Sequence, residues 1–166
     1  MKPRAPYVHQ ISLSPGGVPK TAVPAARLSV DGFDGDRQRN RKVHGGPDRA
    51  VCLYSLETIE ALREEGHTIA PGAAGENLTL AGLEWRRLAP GDRMTIGDEV
   101  RLEITSYTAP CRQNARWFND GFVGRIAQER HPGWSRLYAR VLREGYVRAG
   151  DPVSVELQAG RFQLHV

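Results

Sequence analysis

The stretch 93–104 constrains the fold more than any other part of the chain. Arg93-Met94-Thr95-Ile96 and Glu99-Val100-Arg101-Leu102-Glu103-Ile104 alternate apolar and polar residues on either side of Gly97-Asp98. Alternation with a period of two marks a half-buried strand, and Gly-Asp between two such runs reads as a tight two-residue hairpin. Val100, Leu102 and Ile104 then face one side of a sheet, and Arg101 and Glu103 the other. Antiparallel β-structure therefore occupies the middle of the sequence.

Other segments extend this pattern. Residues 7–13 alternate weakly and end in the turn residues Ser14-Pro15-Gly16-Gly17. Residues 23–30 read as a strand broken by Pro24. Ala50-Val51-Cys52-Leu53-Tyr54 is a continuous apolar run, which suits a buried strand. Ser55 is placed to cap a helix over 56–65, with Ile59 and Leu62 inward and Gly66 ending it. A glycine-rich loop, 72–75, leads into Asn77-Leu78-Thr79-Leu80. A second helix is predicted over 119–130, with Phe122, Ile126 and Ala127 inward, stopped by His131-Pro132-Gly133. Residues 137–142 and 152–157 are late strands. Residues 89–96 echo residues 148–155, each a Gly-Asp turn feeding a strand, which predicts similar local geometry at two places. The expected class is mainly β with short helices, a β-barrel or bent sandwich, in a single domain over 1–166.

Composition narrows the partners. The chain has 166 residues, 40% of them hydrophobic and 25% charged, as in an ordinary globular protein. It has no apolar run of about 18 residues, and its first residues lack the apolar core of a secretory signal. No membrane partner and a cytoplasmic location are expected. The formal charge of +4 suits an anionic small molecule. No run of five basic residues occurs, so nucleic acid is not expected, and a plainly solvated basic surface is the simpler reading.

The two cysteines, Cys52 and Cys111, have no metal-finger spacing and form no C-x-x-C. Cys52 lies in the apolar run and reads as core. Cys111 lies in Ser106-Tyr107-Thr108-Ala109-Pro110-Cys111-Arg112-Gln113-Asn114, delivered to a turn by a strand, with a stiffening proline before it and an arginine after it. Its thiolate is a soft ligand and a nucleophile; the plain alternative is a small buried hydrophobe. In Lys42-Val43-His44-Gly45-Gly46-Pro47-Asp48-Arg49, Gly45 and Gly46 allow close backbone approach, His44 and Arg49 flank them, and Arg49 can clamp a phosphate. The plain alternative is a surface turn in which Asp48 and Arg49 pair. Gly35-Asp36-Arg37 and Gly75-Glu76-Asn77 are shorter signals: Arg37 suits an anion, and Asn77 suits the edge of a heterocycle. No H-E-x-x-H, Gly-x-Ser-x-Gly or Walker pattern is present.

Taken in order, Gly35-Asp36-Arg37, His44-Gly45-Gly46-Pro47-Asp48-Arg49-Ala50-Val51, Gly75-Glu76-Asn77-Leu78 and Pro110-Cys111-Arg112 resemble the MOSC domain, named for the C-terminal domain of molybdenum cofactor sulfurases. The segment 138–147 followed by Gly150-Asp151 is similar to the end of that domain. The resemblance covers about residues 7 to 157. It implies a MOSC-type β-barrel that binds the molybdenum cofactor, a pterin with a dithiolene and a phosphate. It implies that Cys111 either ligates molybdenum or carries a persulfide, with Arg37 near the phosphate end and Glu76 and Asn77 lining the pocket. His44, Gly45, Gly46, Arg49 and Arg112 complete the candidate cofactor-binding set. The aminotransferase-like domain of the sulfurases and the ferredoxin domain of some reductases are not found in this sequence, so a separate electron donor or sulfur donor is the expected partner. Three functions follow in order of expectation: an oxidoreductase acting on N-hydroxylated compounds, a sulfur carrier or delivery module, and a non-catalytic basic binding module.

Overall fold

The computed structural model describes residues 4–37 and 46–159. The strands are β1 (Tyr7–Leu13), β2 (Thr21–Val23), β3 (Ala25–Ser29), β4 (Gly32–Phe33), β5 (Val51–Ser55), β6 (Leu78–Ala81), β7 (Arg93–Ile96), β8 (Val100–Tyr107), β9 (Leu137–Arg143), β10 (Gly145–Arg148) and β11 (Val153–Glu156); the helix α1 spans Leu56–Glu64. Eight strands form one sheet in the order β11-β7-β8-β9-β5-β6-β1-β2, and β10-β3-β4 form a second. Pairing is antiparallel except between β5 and β6, which run parallel because α1 carries the chain back across.

Local chemistry accounts for most boundaries. The Ser55 hydroxyl accepts the Thr58 N–H at 3.1 Å and starts α1, which buries Ile59 and Leu62. Pro24 separates β2 from β3, and the two halves go to different sheets, because proline cannot donate to a ladder. Val100, Leu102 and Ile104 are buried on one face of β8. Together with Leu53, Leu78 and Leu80 they belong to one core, each contributing about 1.5–3 kcal/mol by leaving water. The echo of 89–96 in 148–155 is a real geometric repeat. Asp92 Oδ2 accepts the Ala89 N–H at 2.9 Å and Asp151 Oδ2 accepts the Arg148 N–H at 2.8 Å. The strands that these turns feed, β7 and β11, pair with each other.

Three expectations need correction. The sheets are open and do not close into a barrel. The start of β1 meets the segment before β11 through an isolated Tyr7–Pro152 bridge and a few backbone bonds, such as Val8 N–H to Asp151 O at 2.9 Å. Pro152 has no N–H with which to continue that ladder. The hairpin loop has three residues, since Ile96 pairs with Val100; Glu99 leaves the strand and its carboxylate accepts the Tyr146 N–H at 3.2 Å. The helix over 119–130 does not form, and only a short turn of 3-10 helix, Val123–Ile126, is present. Asp120 Oδ1 accepts the Phe122 N–H at 3.0 Å, a local bond that competes with helix formation, and Gly121 and Gly124 weaken it further. Ile126 is buried as expected, but Phe122 is exposed.

No helix among the described residues is long and apolar enough to cross a membrane.

Candidate functional site

Strand β8 ends at Tyr107, and Thr108-Ala109-Pro110 carries the chain to Cys111. The Cys111 carbonyl accepts the Asn114 N–H at 2.9 Å, opening the 3-10 turn Arg112–Trp117. Cys111 is half-buried and free, with Arg112 exposed beside it. Cys52 is only 3% exposed inside β5, and burial pushes its thiol pKa up. The two sulfurs thus divide as their sequence contexts predict, one sealed and one within reach of solvent.

The Cys111 turn is pinned from below. Thr108 N–H donates to Arg136 O at 2.9 Å, continuing the pairing of β8 with the chain entering β9. Arg136 sends Nη2 to Ala109 O at 3.2 Å and Nη1 to Ala74 O at 2.7 Å. Asn114 Nδ2 donates to the same Ala74 carbonyl at 3.2 Å. Two buried side chains therefore join the cysteine turn to the glycine-rich loop that precedes Glu76 and Asn77.

Tyr138 lies on β9, two residues after Arg136. The Arg49 guanidinium sits 5.5 Å from its ring centre. Burial lifts the Tyr138 hydroxyl up to about 12; the charge on Cys52 adds to this, and the positive charges of Arg136 and Arg49 oppose it. Cys111 also bears on that hydroxyl. The Arg49 guanidinium thus faces the Tyr138 ring, and the charges of Arg136 and Arg49 both favour its ionised form. The 3-10 turn Pro47–Arg49 that delivers Arg49 is anchored by Thr105 Oγ1, which donates to Asp48 O, and by Arg140, 3.6 Å from the Asp48 carboxylate. Asp48 thus pairs with Arg140, and Arg49 faces Tyr138. Gly46 precedes this turn at φ 97°, a conformation that favours glycine, and an added Cβ would meet nothing within 4 Å.

Glu76 and Asn77 are both buried and engaged inside the protein. Asn77 Oδ1 accepts the Cys52 N–H at 3.1 Å, and Nδ2 donates to Ser12 O at 3.3 Å and Asp36 Oδ2 at 2.9 Å. Glu76 Oε1 accepts the Gly72 N–H at 2.5 Å and the Thr79 hydroxyl at 3.3 Å, while Oε2 has no partner. Gly72 is required here: at φ 83° a Cβ would lie 2.6 Å from Lys20 O. Arg37 is exposed and its N–H donates to Ser14 O at 2.8 Å. The neighbouring Asp36 does the inward work: its carboxylate takes Lys20 Nζ at 2.7 and 2.9 Å and the Ser14 N–H at 2.9 Å. His44 and Gly45 lie outside the described residues.

Burial raises the Glu76 carboxyl pKa above its ordinary value, against the hydrogen bonds from Gly72 and Thr79 and the charge of Arg136. Where the folded carboxyl holds its proton more tightly than the unfolded one, stability is fullest at low pH and is lost as pH rises through the folded pKa. Urea unfolding between about pH 4 and about pH 8 should show this loss in the wild type and its absence in Glu76→Gln. Parallel curves for the two proteins would contradict it.

Cys111 and Arg49 stand out in the sequence, whereas nothing there gives a role to Arg136, Tyr138, Asp36 or Lys20. Asp36 was legible only as the neighbour of Arg37, and the others lie in strand or loop contexts with no distinctive local signal. A cavity of about 430 Å³ bounded by α1, Trp85, Arg86 and Trp134 contains none of the candidate residues. Among the described residues no group of three His, Cys, Asp or Glu side chains could hold a metal ion.

Comparison with known proteins places the chain in a family. The chain is 34% identical over 136 residues to the uncharacterized protein YflK of Bacillus subtilis, an alignment covering 81% of this chain and 60% of YflK, so it spans less than two thirds of that relative's length. It is 30% identical over 132 residues to a Gibberella moniliformis protein called Reductase, covering 76% of this chain and 23% of that protein. The crystal structure of YiiM from Geobacillus stearothermophilus superposes with a TM-score of 0.72 at 24% identity, covering 94% of this chain and 77% of that one; at this identity the likeness speaks for the fold alone. The MOSC domain pattern matches residues 40–154, which include the Gly46–Arg49 turn, Glu76, Asn77, Cys111, Arg136 and Tyr138, and the chain belongs to the MOSC domain family.

Proposed function

We propose that the chain binds the molybdenum cofactor, with the Cys111 sulfur as its protein ligand to the metal, and acts as an oxidoreductase on N-hydroxylated compounds. The observation that carries this reading is the half-exposed soft donor Cys111, on a turn that Arg136 holds through the Ala109 carbonyl, with no group of three metal-ligating side chains among the described residues. That donor set suits a metal whose remaining ligands belong to an organic group, and it does not suit a bare ion held by a protein cage. The Reductase relative supports the reaction class.

When bound, the cofactor supplies two-electron exchange, with the protein contributing ligation, orientation and charge. The Cys111 sulfur would hold the metal from the rim of the turn. Arg49 and exposed Arg112 would meet the anionic pterin phosphate, and Arg37 and His44 are assigned to the same cofactor from the family pattern. Gly46, at φ 97°, would let the backbone come close to it, and Gly45 is assigned to it from the family pattern. Glu76 and Asn77 support this arrangement from beneath, through the loop that Arg136 clasps. In the net reaction an N–OH group gains two electrons and two protons, giving N–H and water. The electrons come from a separate donor protein.

Purification without oxygen from a host that makes the cofactor tests this. Molybdenum should co-purify stoichiometrically, and an N-hydroxylated amidine should be reduced under an artificial donor. Absence of both overturns the proposal. An added sulfur atom on Cys111 after treatment with a cysteine desulfurase, with no molybdenum retained, would replace it with sulfur carriage.

A further inference from the structure

Arg136 is the most unusual charge among the described residues. It is 5% exposed, and its two outer nitrogens are bound to the carbonyls of Ala74 and Ala109. Its Nε is buried with no hydrogen-bond partner, and it forms no ion pair with any described carboxylate. Buried charges are normally paired, so an arginine that meets only carbonyls leaves a net positive charge in the interior. Glu76 is close enough to feel it, but burial favours the neutral form of that acid and weakens it as a counter-charge.

The position of this charge gives it a use. One arm ends on Ala109, two residues before Cys111, and the other on the loop before Glu76. The same guanidinium acts on the Tyr138 hydroxyl, where Cys111 also acts. A planar fork can hold two carbonyls at once, which a lysine cannot reproduce.

We infer that Arg136 is a positioning residue for Cys111: it clasps the cysteine turn to the 72–77 loop and fixes a positive charge at that turn, so that Cys111 reacts preferentially with anionic reactants. This rests on Cys111 being the working atom of the site, and it deepens that reading by naming the charge class of what approaches the sulfur.

The experiment is alkylation of Cys111 in the full chain before cofactor loading, followed by mass spectrometry. Iodoacetate and iodoacetamide perform the same displacement of iodide by sulfur and differ in charge. Their rate ratio therefore reports the local field, while changes in turn geometry move both rates together. The ratio should fall about threefold to tenfold in Arg136→Gln and stay within about twofold of wild type in Arg136→Lys, which restores the charge without the fork. Asn114→Ala removes the other donor to Ala74 O and leaves the charge, so it should shift both rates in parallel. Added salt should compress the wild-type ratio. An unchanged ratio in Arg136→Gln, or an equal fall in Arg136→Lys or Asn114→Ala, would overturn the inference. If Arg136→Gln does not fold, the Lys and Ala variants and the salt series still decide it. Because no molybdenum is involved, failure here counts against Arg136 alone. A shifted ratio in a protein that never retains molybdenum would count against the cofactor reading alone.

Discussion

Asp36→Ala should lower the free energy of unfolding by about 3–5 kcal/mol, among the largest stability effects open to a single substitution in this chain. Asp36 and Lys20 form an ion pair at 2.7 Å with both side chains 7% exposed. Removing the carboxylate leaves the ammonium inside the protein without its partner, and an uncompensated buried charge costs far more than a surface pair contributes. The loss spreads further, because the same carboxylate accepts hydrogen bonds from the Ser14 N–H and from Asn77 Nδ2. Asn77 in turn holds the backbone of Cys52 in β5. Urea denaturation gives the measurement, and the double variant Lys20→Met with Asp36→Ala should recover part of the loss by removing the stranded charge. A loss under about 1 kcal/mol would mean that the pair behaves as a solvated surface bridge and that the network under the site is not held by it.

The second prediction separates the two cysteines. Cys111→Ser should abolish stoichiometric molybdenum retention, lowering it by at least about a hundredfold, because a hydroxyl is a harder and weaker donor than a thiolate toward a soft centre. Its stability should stay within about 0.5 kcal/mol of wild type, since the side chain is half-buried at a turn. Cys52→Ala should do the reverse: it should cost about 1–2 kcal/mol for lost packing in β5 and leave molybdenum content per folded protein unchanged. Elemental analysis beside a urea titration of each variant resolves both axes. Metal retained by Cys111→Ser and lost by Cys52→Ala would invert the assignment.

Much of the fold was legible because it follows from neighbouring residues. The alternation of β8, the cap at Ser55, the break at Pro24 and the paired Gly-Asp turns all work through bonds spanning a few positions, so a short window contains their causes. The helix expected over 119–130 failed for a reason that was also local: the Asp120 turn and two glycines outweigh a few apolar residues at helical spacing. Its Arg125 is then drawn off to Glu65 at 2.6 Å and to the ring of Trp134. Strand β10 was missed because one residue, Glu144, separates it from β9, and the two strands enter different sheets.

By itself the sequence determined where most of the longer strands lie, that Cys52 is interior, and that Cys111 stands at a turn beside positive charge. Those properties depend on residue type and near neighbours. Only the tertiary structure decided that the sheets stay open, that Arg49 faces Tyr138, that Asp36 and not Arg37 supports Asn77, and that Arg136 ties Ala74 to Ala109. These contacts join residues tens of positions apart. Their energy comes from desolvated charges and shared carbonyls that exist only once the strands have paired, so no stretch of chain contains their cause.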